Sequence, residues 1–426
     1  MSKKPFQIVA VVLGLVLVTL SFTGFAARTR SGCDQIWPNP NSAGNQHNIN
    51  SRDGCNELDN YENFGTLINS GKLDNAGALR NFGKLHNLGA LNNFGEITNV
   101  QSRSGNTRND GTLNNFGNVG GYGSCRNTGI LNNYGTFNTG DFGENSGVIN
   151  NYSDATLSSA QRFTNDGVVN NSLGGTVETA IGWINNGTVD NSGALNFKKA
   201  RFLNNNGIVN IRSGASFETD HEINNSGLFN NEGTLTSNGV VSNGGRFYVS
   251  DSGSVTGSGV FRQLTGMTIV DGKLLQSAVR VSGGMLSGNG NITSEVTLNG
   301  GTMAPGNSGM GVIGITGSYT QTASGEYAVD IGGSHPGVDH DVMSVSGAAR
   351  LDGQLRVVLY EFGSRRFSPG EGDSYDILRA DSIVGQFSEF RFAPLDETLE
   401  WEIAYLKDAD GTVDVVRLTV KRISGG

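Results

Sequence analysis

Residues 63–99 read NFGTLI, NSGKLD, NAGALR, NFGKLH, NLGALN, NFGEIT and a closing Asn, a six-residue unit Asn-x-Gly-x-Leu-x that runs without a gap. The asparagines are Asn63, Asn69, Asn75, Asn81, Asn87, Asn93 and Asn99, and the apolar series is Leu67, Leu73, Leu79, Leu85, Leu91 and Ile97. A longer period follows: Asn109, Asn127, Asn145, Asn165, Asn185, Asn205, Asn225 and Asn243 stand 18 or 20 residues apart. Each has Gly two residues on and an apolar residue four residues on, from Leu113 to Phe247. A second apolar file contains Val119, Phe137, Leu157, Val177, Leu195, Phe217, Leu235 and Val255. A third precedes the Asn, at Cys125, Phe163, Trp183, Leu203, Ile223 and Val241, and is interrupted at Gly143. Self-similarity of this kind marks a repeat architecture.

Three short apolar segments per 18–20 residues, joined by Asn and Gly, describe three strands and three corners. Asn and Gly tolerate the left-handed backbone that such corners are expected to use. They are poor helix formers at this density, and each strand is too short to bury a face alone. Coiling answers both constraints: turns stack at roughly 4.8 Å, apolar files fill a central core, and asparagines form ladders along the axis. The expected fold is therefore all-β, a parallel β-helix solenoid with 18–20-residue rungs. Perfect hexads are similar to left-handed β-helices, in which one hexad makes each of three faces. The 18-to-20 spacing and the irregular insertions fit a right-handed coil better. Residues 266–345 lose the Asn ladder but keep the style, as in Gly272-Lys273-Leu274 and Gly284-Met285-Leu286. The array should be a rod on the order of 60 to 70 Å long, closed at the end by a C-terminal β cap over 346–426, because an open last rung is an exposed strand edge.

Composition agrees. Glycine is 64 of 426 residues and charged residues only 16%, below the usual quarter. Net charge is −9 with no basic stripe, so no nucleic-acid partner is expected. Lys3 and Lys4 precede an apolar stretch from Phe6 to Phe22 and the small residues around Gly24-Phe25-Ala26, the pattern of an export signal over 1–26. Export permits disulfides. Cys33 and Cys55 flank one short segment and are the expected pair, stapling an N-terminal cap over 27–62 and contributing about 3 kcal/mol by loop entropy. The Asn/Gly-rich repeats proper then occupy 63–265. Cys125 stands in an apolar file and is expected to be buried.

The C-terminal third contains Ala304-Pro305-Gly306-Asn307-Ser308, Gly337-Val338-Asp339-His340-Asp341-Val342, Gly370-Glu371-Gly372-Asp373-Ser374-Tyr375-Asp376-Ile377-Leu378 and Gly385-Gln386-Phe387. Over roughly residues 280–420 this order resembles the passenger-associated repeat and C-terminal cap of bacterial autotransporter adhesins. The resemblance implies a right-handed β-helix stalk, a surface or secreted location (the periplasm is the alternative), and a role in adhesion, aggregation or biofilm. Autotransporters continue into a membrane β-barrel, whereas this sequence stops at Gly426, so a separate outer-membrane secretion partner is expected. Leu399–Tyr405 and Val413–Val420 alternate as closing strands would.

Signs of catalysis are sparse. No His-x-x-x-His pair suits zinc, and Gly306-Asn307-Ser308-Gly309 lacks flanking His and Asp partners for a serine nucleophile. Asp339, His340 and Asp341 form a compact group with oxygen ligands that suit Ca²⁺, though a polar turn explains them better. Lys198, Lys199 and Arg201 near Glu218 and Asp220 are the best candidate groove for a polysaccharide lyase or hydrolase. Thr66, Thr112, Thr136, Thr156, Thr176 and Thr234 raise the alternative of ice or flat-surface binding. The expectation is a non-catalytic structural or adhesive rod with no cofactor and no metal, contacting a surface glycan, a host or matrix component, or itself through many weak contacts.

Overall fold

The computed structural model describes residues 33, 39–51, 54–100, 106–363, 365–409 and 411–423; the expected export signal lies outside them. Each hexad makes one four-residue strand and a two-residue corner. In Thr112–Asn115, for example, Leu113 and Asn115 face inward while Thr112 and Asn114 face outward, the two-residue alternation of a strand. Three such strands make a turn, as in Asn106–Asn109, Thr112–Asn115 and Asn118–Gly121. The next turn repeats them at Ser124–Asn127, Ile130–Asn133 and Thr136–Thr139, each paired parallel with its predecessor. The chain is thus a parallel β-helix with three long sheets, named first, second and third after the order of those strands.

One continuous core runs up the axis from Ile49 to Val420. The three apolar files line it, and large rings stack in it, such as Phe229 on Phe247 at 4.7 Å between centroids. Cys125 is a buried free thiol, and a disulfide joins Cys33 to Cys55. The third apolar file is not broken where Gly143 stands. Strand Asp141–Asn145 has one extra residue and a register shift, so Phe142 enters the core between Cys125 and Phe163. A β-bulge of this kind re-aims one side chain without losing the turn.

The corner glycines of the hexads have a different cause from the expected one. None in the Asn-x-Gly hexads between Asn63 and Gly245 adopts a left-handed φ, whereas the later corners Gly266, Gly284 and Gly301 do, with φ of 68°, 69° and 75°. What excludes a side chain in the hexads is the neighbouring turn: a Cβ on Gly129 would lie 2.0 Å from the Gly111 carbonyl oxygen, and one on Gly167 2.1 Å from that of Gly147. Close approach of stacked backbone, not backbone handedness, requires Gly here.

The asparagines are internal and buried. Asn109, Asn127, Asn145, Asn165, Asn185, Asn205, Asn225 and Asn243 line the end of the first sheet, continued downward by Asn87 and Asn69. Each Nδ2 donates to the Oδ1 of the Asn one turn on, at 2.7 or 2.8 Å. It also donates to a backbone carbonyl of that next turn, as Asn109 does to Ile130 at 2.9 Å. A second ladder, Asn75–Asn93–Asn115–Asn133–Asn151–Asn171–Asn191, ends the second sheet, and a short third one, Asn41–Asn63–Asn81–Asn99, ends the third sheet. All three point the same way. Buried Oδ1 atoms without a donor therefore occur where a ladder starts, at Asn41, Asn69 and Asn75, and above the gap at Ile211, on Asn231.

The first ladder ends on Gln263, which accepts from Asn243. Beyond it the corner between the third and first sheets is lost in every described turn but one, where Val312–Thr316 and Tyr319–Gln321 stay separate strands. Strands Lys273–Val281, Asn291–Leu298, Val342–Leu351 and Ser374–Gly385 run through it, joining the two sheets. Parallel pairing on the second sheet continues to Glu389–Phe392. The segments expected to close the array are strands Leu399–Lys407 and Val413–Arg422, which pair antiparallel with each other; the latter also pairs antiparallel with Ser374–Gly385.

Candidate functional site

The outward side chains differ from sheet to sheet. Between Thr112 and Asn230 the second sheet shows Ile130, Val148, Val168, Thr188, Ile208 and Leu228 in one file, aligned turn on turn. Beside it Asn114, Asn132, Asn150 and Asn170 make an external amide ladder, each Nδ2 donating to the Oδ1 one turn back, with Asn92 accepting at its base. Asp190 is the one charged strand residue facing out in this interval, and Arg212 neutralises it with two hydrogen bonds of 2.6 and 2.8 Å. The first sheet over the same turns exposes Arg108, Arg126, Glu144, Arg162 and Glu222. The second sheet therefore offers a flat, uncharged strip several turns long, and depletion of charge is the compositional mark of an interface core.

Its corner toward the third sheet carries a stack that sequence reading missed. Phe94, Phe116, Tyr134 and Tyr152 follow the Asn residues of the second ladder, with ring centroids 5.1, 4.9 and 4.2 Å apart and planes within 7°. Phe94 is 56% exposed. The signal was present: in each case the residue after the Asn is aromatic. Rings stacked along the axis spend their faces on one another, so the column stiffens the corner, with about 0.5–1.5 kcal/mol per pair beyond area burial.

Toward the C-terminus the same sheet forms a cleft of about 480 Å³. Its floor is built from outward residues of successive strands: Arg246, Met267 and Ile269, Met285 and Ser287, Ala304, Ala328 and Asp330, then Arg356. One wall is the loop Pro305–Gly309, where Ser308 takes a left-handed φ of 64°. That loop is held by Asn307, whose Nδ2 donates to Asp271 at 2.6 Å, and by paired backbone bonds between Gly288 and Gly306. Below it Asp341 accepts backbone N–H bonds from Gly311 and Asp330, both at 2.8 Å. Burial pushes the Asp341 carboxyl up to about 8, against the pull of those N–H groups. Burial also raises Asp330, partly countered by Arg356. Arg356 in turn bonds Glu326 at 2.9 Å.

The other candidates are dispersed. Asp339, His340 and Asp341 do not converge: Asp339 meets His335 at 2.5 Å, His340 is buried edge-on against Tyr375, and Asp341 is spent on backbone. Among the described residues no group of three or more His, Cys, Asp or Glu side chains converges on one point. Lys198 pairs with Glu218 at 2.5 Å, whereas Asp220 accepts from Asn238 at 2.7 Å instead. Lys198 and Lys199 border a groove of about 350 Å³ on the third sheet with Ser158, Glu178 and Asn196. The threonines divide among sheets: Thr66 is on the first, Thr112 on the second, and Thr136, Thr156 and Thr176 are aligned on the third, followed by Ala194, Ser216 and Thr234. Neither a family model nor a curated protein matches this chain.

Proposed function

We propose that the protein is an exported, non-catalytic adhesive rod that contacts a surface glycan, a matrix component or a copy of itself along its second sheet. The observation that supports this reading is the uncharged strip: an Ile/Val/Leu file beside an amide ladder, repeated at turn spacing on a rigid parallel β-helix. Each turn offers the same small contact. Contacts of that kind are individually weak and gain strength by simultaneous engagement. The resemblance of residues 280–420 to autotransporter passengers supports the export and adhesion parts of the reading.

The turn spacing supplies a clean test. Removing residues 146–165, 146–185 or 146–205 joins Asn145 to the residue that normally follows Asn165, Asn185 or Asn205, so one, two or three turns leave and the first ladder stays in register. Adhesion of beads coated with each purified variant to bacterial-surface and matrix preparations should fall in graded steps. Loss of all binding with the first turn, or turnover of plant or bacterial polysaccharides by the intact protein, contradicts the proposal.

A further inference from the structure

We propose that the cleft over the second sheet at Arg246, Met285 and Asp330 binds a neutral saccharide, a site that rests on the rod reading and names the class of ligand it would take. Its volume lies in the range of small-ligand pockets, and an apolar floor with a few convergent polar groups is their usual make-up. Met267, Ile269, Met285 and Ala328 supply the floor.

The polar groups are unspent. Among the described residues the partly buried Asp330 carboxylate accepts no hydrogen bond, and neither the Arg246 guanidinium nor the Ser287 hydroxyl has a hydrogen-bond partner. Leaving a desolvated carboxylate without a donor is costly. A sugar hydroxyl is both donor and acceptor, so hydroxyls on different units of one oligosaccharide can donate to Asp330 and accept from Arg246, which stand at opposite ends of the cleft, four strands apart. The charges balance over the cleft as a whole: Arg356 is paired with Glu326 and also acts on Asp330, and Arg246 stands at the far end of the floor. A strongly anionic ligand would meet Asp330, and a cationic one Arg246.

The site is prebuilt. Its floor rides on strands, and the wall loop is tied by Asn307 to Asp271 and by Asp341 to Gly311, so little ordering is left to oppose binding. It is also continuous with the strip: Leu228, Arg246, Met267, Met285 and Thr302 are successive members of one outward file. A neutral polysaccharide lying along the strip runs into the cleft without a change of direction.

The test uses the full chain on an array printed with neutral and with uronic-acid or sialylated oligosaccharides, then calorimetry with the best neutral glycan found. Neutral glycans should bind, and Asp330→Ala, Arg246→Ala and the cleft-filling Ala304→Trp should each weaken binding by at least about tenfold. Melting temperatures of the three variants show which of them remain folded, and any one suffices. Binding only to acidic glycans, or to none, overturns the proposal. Binding that survives all folded cleft variants but declines with the 146–205 deletion overturns the cleft alone and leaves the rod reading standing.

Discussion

Asn165 is the place to test whether the internal ladder stabilises the rod or merely accompanies it. Its Oδ1 accepts from Asn145 at 2.7 Å, and its Nδ2 donates to Asn185 at 2.8 Å and to the Thr188 carbonyl at 3.1 Å. Asn165→Ala leaves the Asn145 amide with the Val168 and Gly147 carbonyls at 3.2 and 3.4 Å. The Asn185 Oδ1 loses its donor while fully enclosed, costing about 1–3 kcal/mol. The lost bond to Thr188 adds about 1 kcal/mol, and the unfilled volume about another 1 kcal/mol. The expected total is about 3–5 kcal/mol.

The molecule contains its own control. Ile211 occupies the same kind of position between Asn191 and Asn231. There the Asn191 amide keeps the Gly193 and Ser216 carbonyls, and only the Asn231 Oδ1 is left bare. Asn165→Ile should therefore lose about 2–4 kcal/mol, about 1 kcal/mol less than alanine, because it restores the volume that Ala vacates. A solenoid couples mainly nearest neighbours, so the damage stays local. Hydrogen exchange followed by mass spectrometry should show lost protection within about two turns of residue 165, with urea unfolding giving the size of the effect. An alanine variant within about 0.5 kcal/mol of the parent, or an isoleucine variant worse than alanine, would refute the argument.

Three further outcomes are expected. Gly167→Ala places a Cβ 2.1 Å from the Gly147 carbonyl oxygen, so it should cost about 3 kcal/mol or more by forcing two turns apart, read as a drop in urea midpoint. Phe116→Ala removes two stacked contacts, to Phe94 and Tyr134, and should lower stability by about 1–3 kcal/mol while leaving the far-ultraviolet circular dichroism unchanged. Burial holds the Asp341 carboxyl up at about 8, above an unfolded value of about 3.9. Its contribution to stability is then complete below about pH 4 and is lost as pH climbs toward about 8; Asp341→Asn should flatten that slope in melting experiments between pH 5 and 8, whatever its effect on absolute stability.

The turn length, the three apolar files and the first Asn ladder are legible because each depends on one residue type returning at a fixed spacing. Where Asn109, Asn127 and Asn145 recur, nothing but stacking explains the phase. The second ladder was equally visible, in the doubled Asn of Leu113-Asn114-Asn115 and its repeats, but only once inner and outer Asn are told apart by strand alternation. The glycines were read correctly as corners, but the left-handed backbone expected of them holds at Gly266, Gly284 and Gly301 and not at Gly129 or Gly167, since close approach and left-handed backbone select the same residue. Phe142 was hidden because a one-residue bulge moves the core position off the period. The cleft was illegible: Arg246, Met285, Asp330 and Arg356 come from different turns, and what joins them is the register of strands whose spacing has ceased to be regular.

That change of spacing explains why the cleft lies where it does. Through most of the array an Asn amide must reach both its neighbour one turn on and a backbone carbonyl of that turn, and the ladder bonds span 18, 20 or 22 residues. Past Gln263 Val281 and Leu298 fill the corresponding places, and Gln321 above them donates to the Gly325 and Gln354 carbonyls without a neighbouring amide in the column. The next turns stay short, from Met267 to Met285 and on to Thr302, and only then lengthen: 24 residues separate Thr302 from Glu326, and 35 separate Gln354 from Glu389. The added chain must lie outside the core, and the loops it forms at Pro305–Gly309 and up to Asp341 become the walls around the second sheet. A ladder extended upward by Val281→Asn would have no partner amide on Leu298 and would bury an unsatisfied group, so regularity cannot be restored one residue at a time. Among the described residues, the turns of 24 residues or more that wall the pocket all lie beyond the end of the ladder that keeps the lower rod uniform.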